Sequence, residues 1–123
     1  MEHLIKSGQV HPDMSFSEKV WAITAQIPKG RVTTYAAIAG ALGGRSSRGF
    51  RAVGQALGRN PYSPQVPCHR VIGSNGRLTG FAGGLAKKEK MLRSEGVTVK
   101  SGCVHEPSMW IPGALLQSKI KNH

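Results

Sequence analysis

Thr33 to Arg59 read TTYAAIAGALGGRSSRGFRAVGQALGR. Thr33 or Thr34 can cap a helix that runs to Leu42, with Ile38, Ala39 and Leu42 at the spacing of one inward face. Gly43-Gly44-Arg45 makes a turn, and Ser46 or Ser47 can cap a second helix. That helix turns Phe50, Val53 and Leu57 inward and leaves Arg48, Arg51, Gln55 and Arg59 outward. Two short helices joined by a glycine turn, with arginines on the second, are the outline of a helix-turn-helix. Plain structural helix hairpins share that outline, and a row of arginines also suits an ordinary solvated face.

Upstream, Ser15-Phe16-Ser17-Glu18 forms a capping box, and Phe16, Val20, Ile23 and Ile27 follow at helical spacing toward a core. Pro28 and Gly30 stop this helix. Residues 1–13 lack periodicity and are expected to be a flexible N-terminal arm. Downstream, Asn60 to Pro67 contains three prolines, so it reads as a rigid loop that delivers Cys68 to a fixed place. Val71-Ile72 and the residues up to Leu78 read as a short hairpin turning at Asn75-Gly76. Beside a helix-turn-helix, such a hairpin would be a wing. After the glycine-rich loop Gly80 to Gly84, a last helix spans Leu85 to Ser94 with Gly96 as its stop, and a strand is expected around Gly102 to Val104. Residues 14–112 are thus expected to form the domain, and residues 113–123 a C-terminal tail.

A chain of 123 residues suits one modest core. Seventeen Lys and Arg against six Asp and Glu give a formal net charge of +11, which favours a polyanionic partner, with nucleic acid first. A membrane partner is disfavoured because no stretch is long or apolar enough to span a bilayer and no basic amphipathic helix stands out. The expected fold class is therefore mostly α with a small β wing, a winged helix-turn-helix-like DNA-binding domain. Cys68 and Cys103 are expected as free thiols in a reducing interior, since the polar opening around Glu2 and His3 does not read as a signal peptide. Cys68, His69, Cys103 and His105 lack the spacings of common zinc sites, so no metal is expected.

Pro67-Cys68-His69-Arg70-Val71-Ile72 places a thiol beside an imidazole. A nearby imidazole or cation can make thiolate available at neutral pH, so Cys68 is a candidate nucleophile. A lone Cys is more often a small buried hydrophobe, and neighbouring side chains in an extended segment point apart.

As a string these six residues resemble the active-site signature of the O6-alkylguanine-DNA alkyltransferases, the methylated-DNA–protein-cysteine methyltransferases. The resemblance takes in Ile27-Pro28-Lys29-Gly30, Thr34-Tyr35, Arg51-Ala52-Val53-Gly54, Arg59-Asn60-Pro61, Gly83-Gly84-Leu85 and Ser94-Glu95-Gly96, roughly the middle two-thirds of the chain. It implies direct, irreversible transfer of an alkyl group from O6-alkylguanine in double-stranded DNA to Cys68, with base flipping and no cofactor. By resemblance, His69 takes the thiol proton through a bound water and Glu95 orients that imidazole. Without the resemblance, Glu95 reads as an ordinary helix-end carboxylate and His69 as a partly buried histidine bonded to backbone.

The resemblance further implies that Arg51 enters the duplex in place of the flipped nucleotide, alongside Arg48, Ser47 and Gln55 on the DNA face. Tyr35 would act on the flipped nucleotide's phosphate and donate toward the guanine, and Asn60 would brace the cysteine loop. The substrate pocket would comprise Pro67, Val71, Phe81, Ala82 and Gly83, with carbonyls of Cys68 and Val71 accepting from guanine and the Ala82 amide donating to O6. The chain departs from the two-domain members in lacking room for a separate N-terminal domain, in Phe81 where tyrosine is common, and in a longer 43–49 loop. Met109-Trp110-Ile111-Pro112 and the length look like the alkyltransferase-like proteins, which bind alkylated guanine without repairing it, yet those usually replace the cysteine that is kept here. A monomer acting in the cytoplasm, at the nucleoid or in a nucleus, is expected.

Overall fold

The computed structural model describes residues 2–42, 48–63, 65–79, 84–112 and 116. Along the chain run α1 (Glu2–Lys6), α2 (Phe16–Thr24), β1 (Thr33–Thr34), α3 (Tyr35–Ala41), α4 (Arg48–Gly58), β2 (Val71–Ile72) and α5 (Leu85–Ser94), with 3-10 turns at Cys68–Arg70 and Pro107–Met109. The protein is mostly helical with a small two-stranded sheet.

The capping box on α2 closes in both directions: the Glu18 amide donates to Ser15 Oγ at 3.2 Å and the Ser15 amide to Glu18 Oε1 at 2.9 Å. Val20 and Ile23 on α2, with Ile27 beyond it, are buried, but Phe16 is exposed, contrary to the inward face expected for it. It is the first helical residue, at the end of the apolar stripe where the core has not yet begun. The Thr34 hydroxyl caps α3 by accepting from the Ala37 amide at 2.9 Å. Val53, Ala56 and Leu57 bury the inner side of α4 against α2 and α3, and Trp21 Nε1 donates to the Ala56 carbonyl at 2.7 Å. Phe50, expected inside, is 41 % exposed because Ala56 completes the inner stripe and leaves Phe50 at its edge beside Arg51. The turn expected at 43–45 and the caps at Ser46 or Ser47 lie outside the described residues.

The flexible N-terminal arm is not what the structure has. Residues 2–6 form α1, and Ile5, Val10 and Met14 are buried in the core with α2. Gly8 at φ +78° ends α1 in a Schellman motif, with the Gln9 amide donating to the Leu4 carbonyl and the Gly8 amide to that of Ile5. The apolar residues are spread over a one-turn helix and a turn, so they carry no single period.

A second cluster, Val32, Ile72, Leu78, Leu92, Val97, Val99 and Val104, packs under the sheet and α5. β1 and β2 pair parallel, with Thr33 opposite Val71 and Thr34 opposite Ile72, and α3 and α4 lie between them in sequence. This corrects the hairpin expected from Val71 to Leu78. The turn at Asn75-Gly76 does form, and the Gly73 amide donates to the Arg77 carbonyl at 2.9 Å. The outgoing leg then pairs antiparallel with residues near Cys103, through Leu78 amide to Gly102 carbonyl and Val104 amide to Gly76 carbonyl. The wing is therefore built from two segments far apart in sequence, and the strand expected at Gly102 to Val104 is its second leg. α5 ends at Gly96 in a second Schellman motif, φ +92°.

Gly76 holds the wing together. Its φ is +86°, and a Cβ there would lie 2.5 Å from the Val104 carbonyl oxygen. Gly76→Ala is expected to lower stability by roughly 1–3 kcal/mol. Gly40→Ala, in α3 with nothing within 4 Å of the added Cβ, is expected to raise it by about 0.5–1 kcal/mol. Urea midpoints of the two variants check both signs.

Candidate active site

The loop that precedes Cys68 is braced by one amide. Asn60 Nδ2 donates to the Val66 carbonyl at 2.8 Å while its Oδ1 accepts from the Tyr62 amide at 2.9 Å. Tyr62 in turn sets its ring edge-on to Trp21 of α2, centroids 5.8 Å apart. Pro67 is buried at the entrance to the 3-10 turn, and the Arg70 amide donates back to its carbonyl. In this turn Cys68 is partly exposed while His69 is buried. Adjacent side chains part in an extended strand, but the turn replaces that geometry at Cys68–Arg70.

His69 Nε2 lies 3.0 Å from Glu95 Oε2. Glu95 is the residue that closes α5, so the helix stop at Gly96 fixes where the carboxylate falls. The same carboxylate receives a two-pronged contact from Arg70, Nε to Oε1 at 2.9 Å and Nη2 to Oε2 at 2.7 Å. Arg70 Nη1 also donates to the Ile27 carbonyl at 2.7 Å, drawing the segment after α2 into the same junction. Burial pushes Glu95 upward, but hydrogen bonds from Arg70 and His69 outweigh it and hold the carboxyl below its usual range. Burial also dominates at His69 and lowers its pKa despite the opposing pull of Glu95. At neutral pH the pair is thus an ionised carboxylate and a neutral imidazole. A carboxylate only accepts, so the imidazole proton is assigned to Nε2, which leaves the lone pair on Nδ1. That Nδ1 is buried and has no partner among the described residues.

Tyr35, the first residue of α3, donates its hydroxyl to the Thr79 carbonyl at 3.1 Å. Burial raises its pKa above the ordinary phenol value, against the opposing effect of the Thr79 hydrogen bond. Tyr35 and Thr79 form one wall of a groove of about 810 Å³, whose other sides are Phe50, Arg51, Gly54 and Gln55 of α4 and Gly73 to Asn75 of the wing. Arg51 and Gln55 are exposed there, and the Arg51 guanidinium sits 5.9 Å from the Phe50 ring centroid. Gly54 faces the Tyr35 ring at 4.0 Å from its would-be Cβ, so a side chain there would narrow the groove.

The structure thus joins Cys68, His69 and Glu95 through one turn and one helix end, and sets Tyr35, Arg51 and Gln55 around one groove. Val71 is buried in β2, and its carbonyl accepts from Lys88 Nζ at 2.6 Å. Arg48 opens α4, while Ser47, Phe81, Ala82 and Gly83 lie outside the described residues. Among the described residues no cluster of three or more His, Cys, Asp or Glu could hold a metal ion, and no helix is long and apolar enough to cross a membrane.

Sequence reasoning missed two residues. Arg70 carries no signal of its own, because its partners are distant in sequence. Lys88 did leave one: it shares the stripe of Leu85 and Leu92, a position that helical periodicity assigns to the interior.

A partly exposed cysteine precedes a buried His–Glu pair, and the helices α3 and α4, the helical pair of a DNA-binding domain, enclose with the wing a groove onto which Tyr35, Arg51 and Gln55 face. The chain belongs to the 6-O-methylguanine DNA methyltransferase family, whose DNA-binding domain matches residues 15–97. It is 52 % identical over 81 residues to a methylated-DNA–protein-cysteine methyltransferase of Salmonella typhimurium, covering 66 % of this chain and 46 % of that protein. With a namesake from Methanosarcina barkeri it shares 49 % identity over 80 residues, 65 % of this chain and 49 % of the relative. The chain therefore spans about half the length of the curated relatives it matches. Among solved structures, Mycobacterium tuberculosis OGT in complex with DNA is similar at TM-score 0.63 and 42 % identity, over 68 % of this chain and 49 % of that one. S. pombe Atl1, in complex with damaged DNA containing O6-carboxymethylguanine, is similar at TM-score 0.66 and 29 % identity, over 78 % of this chain and 94 % of that one.

The buried His69–Glu95 pair predicts acid sensitivity of a definite sign. The folded pKa of His69 lies below its ordinary 6.5 and that of Glu95 below 4.5. On acidification the unfolded chain takes up each proton first. Stability is therefore whole above pH 6.5 and falls as pH drops through the folded pKa of His69, then further below 4.5. Denaturant midpoints measured from pH 7.5 to 4 are expected to fall in wild type from about pH 6.5 downward. In His69→Gln the first part of that fall is expected to disappear.

Proposed function

We propose that this protein repairs DNA by moving an alkyl group, typically methyl, from O6 of guanine in a duplex to the thiol of Cys68. The observation that carries the reading is the unpartnered Nδ1 of a neutral His69 whose other nitrogen is engaged by an ionised Glu95. Such an imidazole is a base held ready in one tautomer beside a thiol.

The reaction follows from these groups. His69 Nδ1 accepts the Cys68 proton through a water, and Glu95 stabilises the imidazolium that results. The thiolate attacks the alkyl carbon, forming a C–S bond as the C–O6 bond breaks and its electron pair leaves with guanine. The guanine anion takes a proton from Tyr35, and Tyr35 regains one from the medium as His69 releases the proton it took. Overall the thiol proton ends on guanine and the alkyl group on sulfur, so one molecule repairs one lesion without a cofactor. The C–S bond is a thioether that none of these groups can cleave, which makes Cys68 a suicide acceptor.

While guanine is paired and stacked, a thiol held in this turn cannot reach the alkyl carbon on its O6 edge, so the nucleotide must leave the duplex for the groove beside Tyr35. Arg51, exposed on α4 at the mouth of that groove, enters the stack in its place, where a planar guanidinium can stack and hydrogen-bond together. Gln55, with Arg48 and Ser47, contacts the DNA backbone, and the net charge of +11 supplies sequence-independent affinity. Phe81, Ala82 and Gly83 complete the guanine pocket with Pro67 and Val71. We place the reaction in the compartment that holds the DNA, in a monomeric protein.

The test separates binding from chemistry. Cys68→Ala is expected to leave all methyl on an O6-methylguanine duplex, as counted by nucleoside analysis, while binding that duplex within a few-fold of wild type by fluorescence anisotropy. Arg51→Ala is expected to weaken lesion binding about ten- to a hundredfold, roughly 1.4–2.8 kcal/mol. Methyl removal by Cys68→Ala would refute the nucleophile assignment. Tight lesion binding by a wild-type protein that removes no methyl would instead identify a lesion-recognition protein.

A further inference from the structure

Phe50 is a large apolar side chain left 41 % exposed on the first turn of α4. It lines the groove, beside Arg51 in sequence and one helical turn before Gly54. Helical spacing sets two rows side by side on this face, Phe50 with Gly54 and Arg51 with Gln55, one apolar and one polar. Gly54 and Ala36 of α3, which share the groove wall, are too small to cover the ring. Arg51 makes no ion pair among the described residues, and its guanidinium lies 5.9 Å from the Phe50 ring centroid. An aromatic ring held open to water in the groove of a chain of net charge +11 finds a better surface on the bases of a polyanion. The faces of those bases are reached only where a stack opens.

We propose that Phe50 is a wedge: its ring enters the base step beside the nucleotide that leaves the duplex, while Arg51 fills the vacancy. The inference rests on the base flipping in the reading proposed above. The division of work follows from the chemistry of the two side chains. Extruding a nucleotide leaves a partner base without its hydrogen bonds and neighbouring bases without their stack. A guanidinium can hydrogen-bond the partner base, which a phenyl ring cannot. A ring gives up no hydration of a charge when it stacks, and apolar wedges of this kind unstack and kink the steps they enter. Every base has a face to offer, so the wedge adds affinity without a sequence requirement. Because the two residues are adjacent on one helix, ring and guanidinium reach the stack together, and the contact between them holds the cation beside the ring before DNA arrives. A wedge lowers the cost of extrusion, so it acts only where there is a stack to open.

The test compares a fully paired duplex carrying one O6-methylguanine with the same lesion in an unpaired bubble, where the stack is already broken. Both are bound by Cys68→Ala protein, in which no methyl moves, with and without Phe50→Ala, and fluorescence anisotropy gives the affinities. Loss of the ring is expected to weaken binding of the paired duplex about tenfold, the size of one lost base–aromatic stack, and binding of the bubble by about twofold or less. Phe50→Tyr keeps a flat ring and is expected to bind the paired duplex within about twofold of its parent. Equal loss on both DNAs would make Phe50 an ordinary contact, and no loss on either would make it a bystander; each result overturns the proposal. Because the ring is exposed, Phe50→Ala is expected to keep the urea midpoint of its parent. Should it not fold, Phe50→Trp carries the test. Its added indole emission is expected to be quenched by stacking when the paired lesion duplex binds, beyond any change from Trp21 and Trp110, and unquenched emission overturns the proposal. Methyl removal by wild type is measured alongside. If wild type removes none while the loss still falls only on the paired duplex, the transfer reading fails and the wedge stands.

Discussion

The site depends on one carboxylate. Glu95 accepts from His69 on one side and from both prongs of Arg70 on the other, and every consequence at the site follows from that sharing. Arg70 keeps the carboxylate ionised against the pull of burial, and an ionised carboxylate fixes the tautomer of His69. The second nitrogen of His69 is then left with its lone pair and no partner among the described residues. Because Arg70 also reaches the Ile27 carbonyl, the carboxylate joins α5, the cysteine turn and the segment following α2. Chemistry and fold are stabilised by the same contacts.

Two kinds of surface meet at this junction. α4 and the wing line an open groove with arginine, glutamine and small residues, a shape suited to a polyanion and an extruded base. Beneath it lie a buried His69 held by Glu95 on one nitrogen and unpartnered on the other, and a half-buried Tyr35 bonded to the Thr79 carbonyl. Lys88 links the two layers, since its ammonium bonds carbonyls on both the strand after the cysteine and the groove wall. A rigid frame of this kind fits a protein that would act once and need not reopen.

What could be read in the sequence was what local chemistry dictates. The Ser15–Glu18 box, the Thr34 cap, the Gly96 stop and the Asn75-Gly76 turn each involve residues a few positions apart, and each has the form expected. The wing and the sheet were misassigned because two-residue strands have no period to detect, and their partners lie far away along the chain. Residues 1–13 read as loose because Ile5 and Val10 reach the core from a single helical turn and a bend. Of the site, the residues came from family resemblance, whereas the arrangement did not: no spacing rule joins Arg70 to Glu95 or Lys88 to Val71. Burial of a charged side chain depends on tertiary neighbours, so Lys88 was legible only as a misfit in an apolar stripe.

The most direct measurement is the intact mass of the protein after incubation with a duplex bearing one O6-methylguanine, with peptide mapping of the product. The account predicts the gain of one methyl in place of one hydrogen, located on Cys68, in proportion to the lesions supplied and no further. A protein that binds the lesion duplex yet keeps its original mass, or that carries the methyl at Cys103, would contradict it.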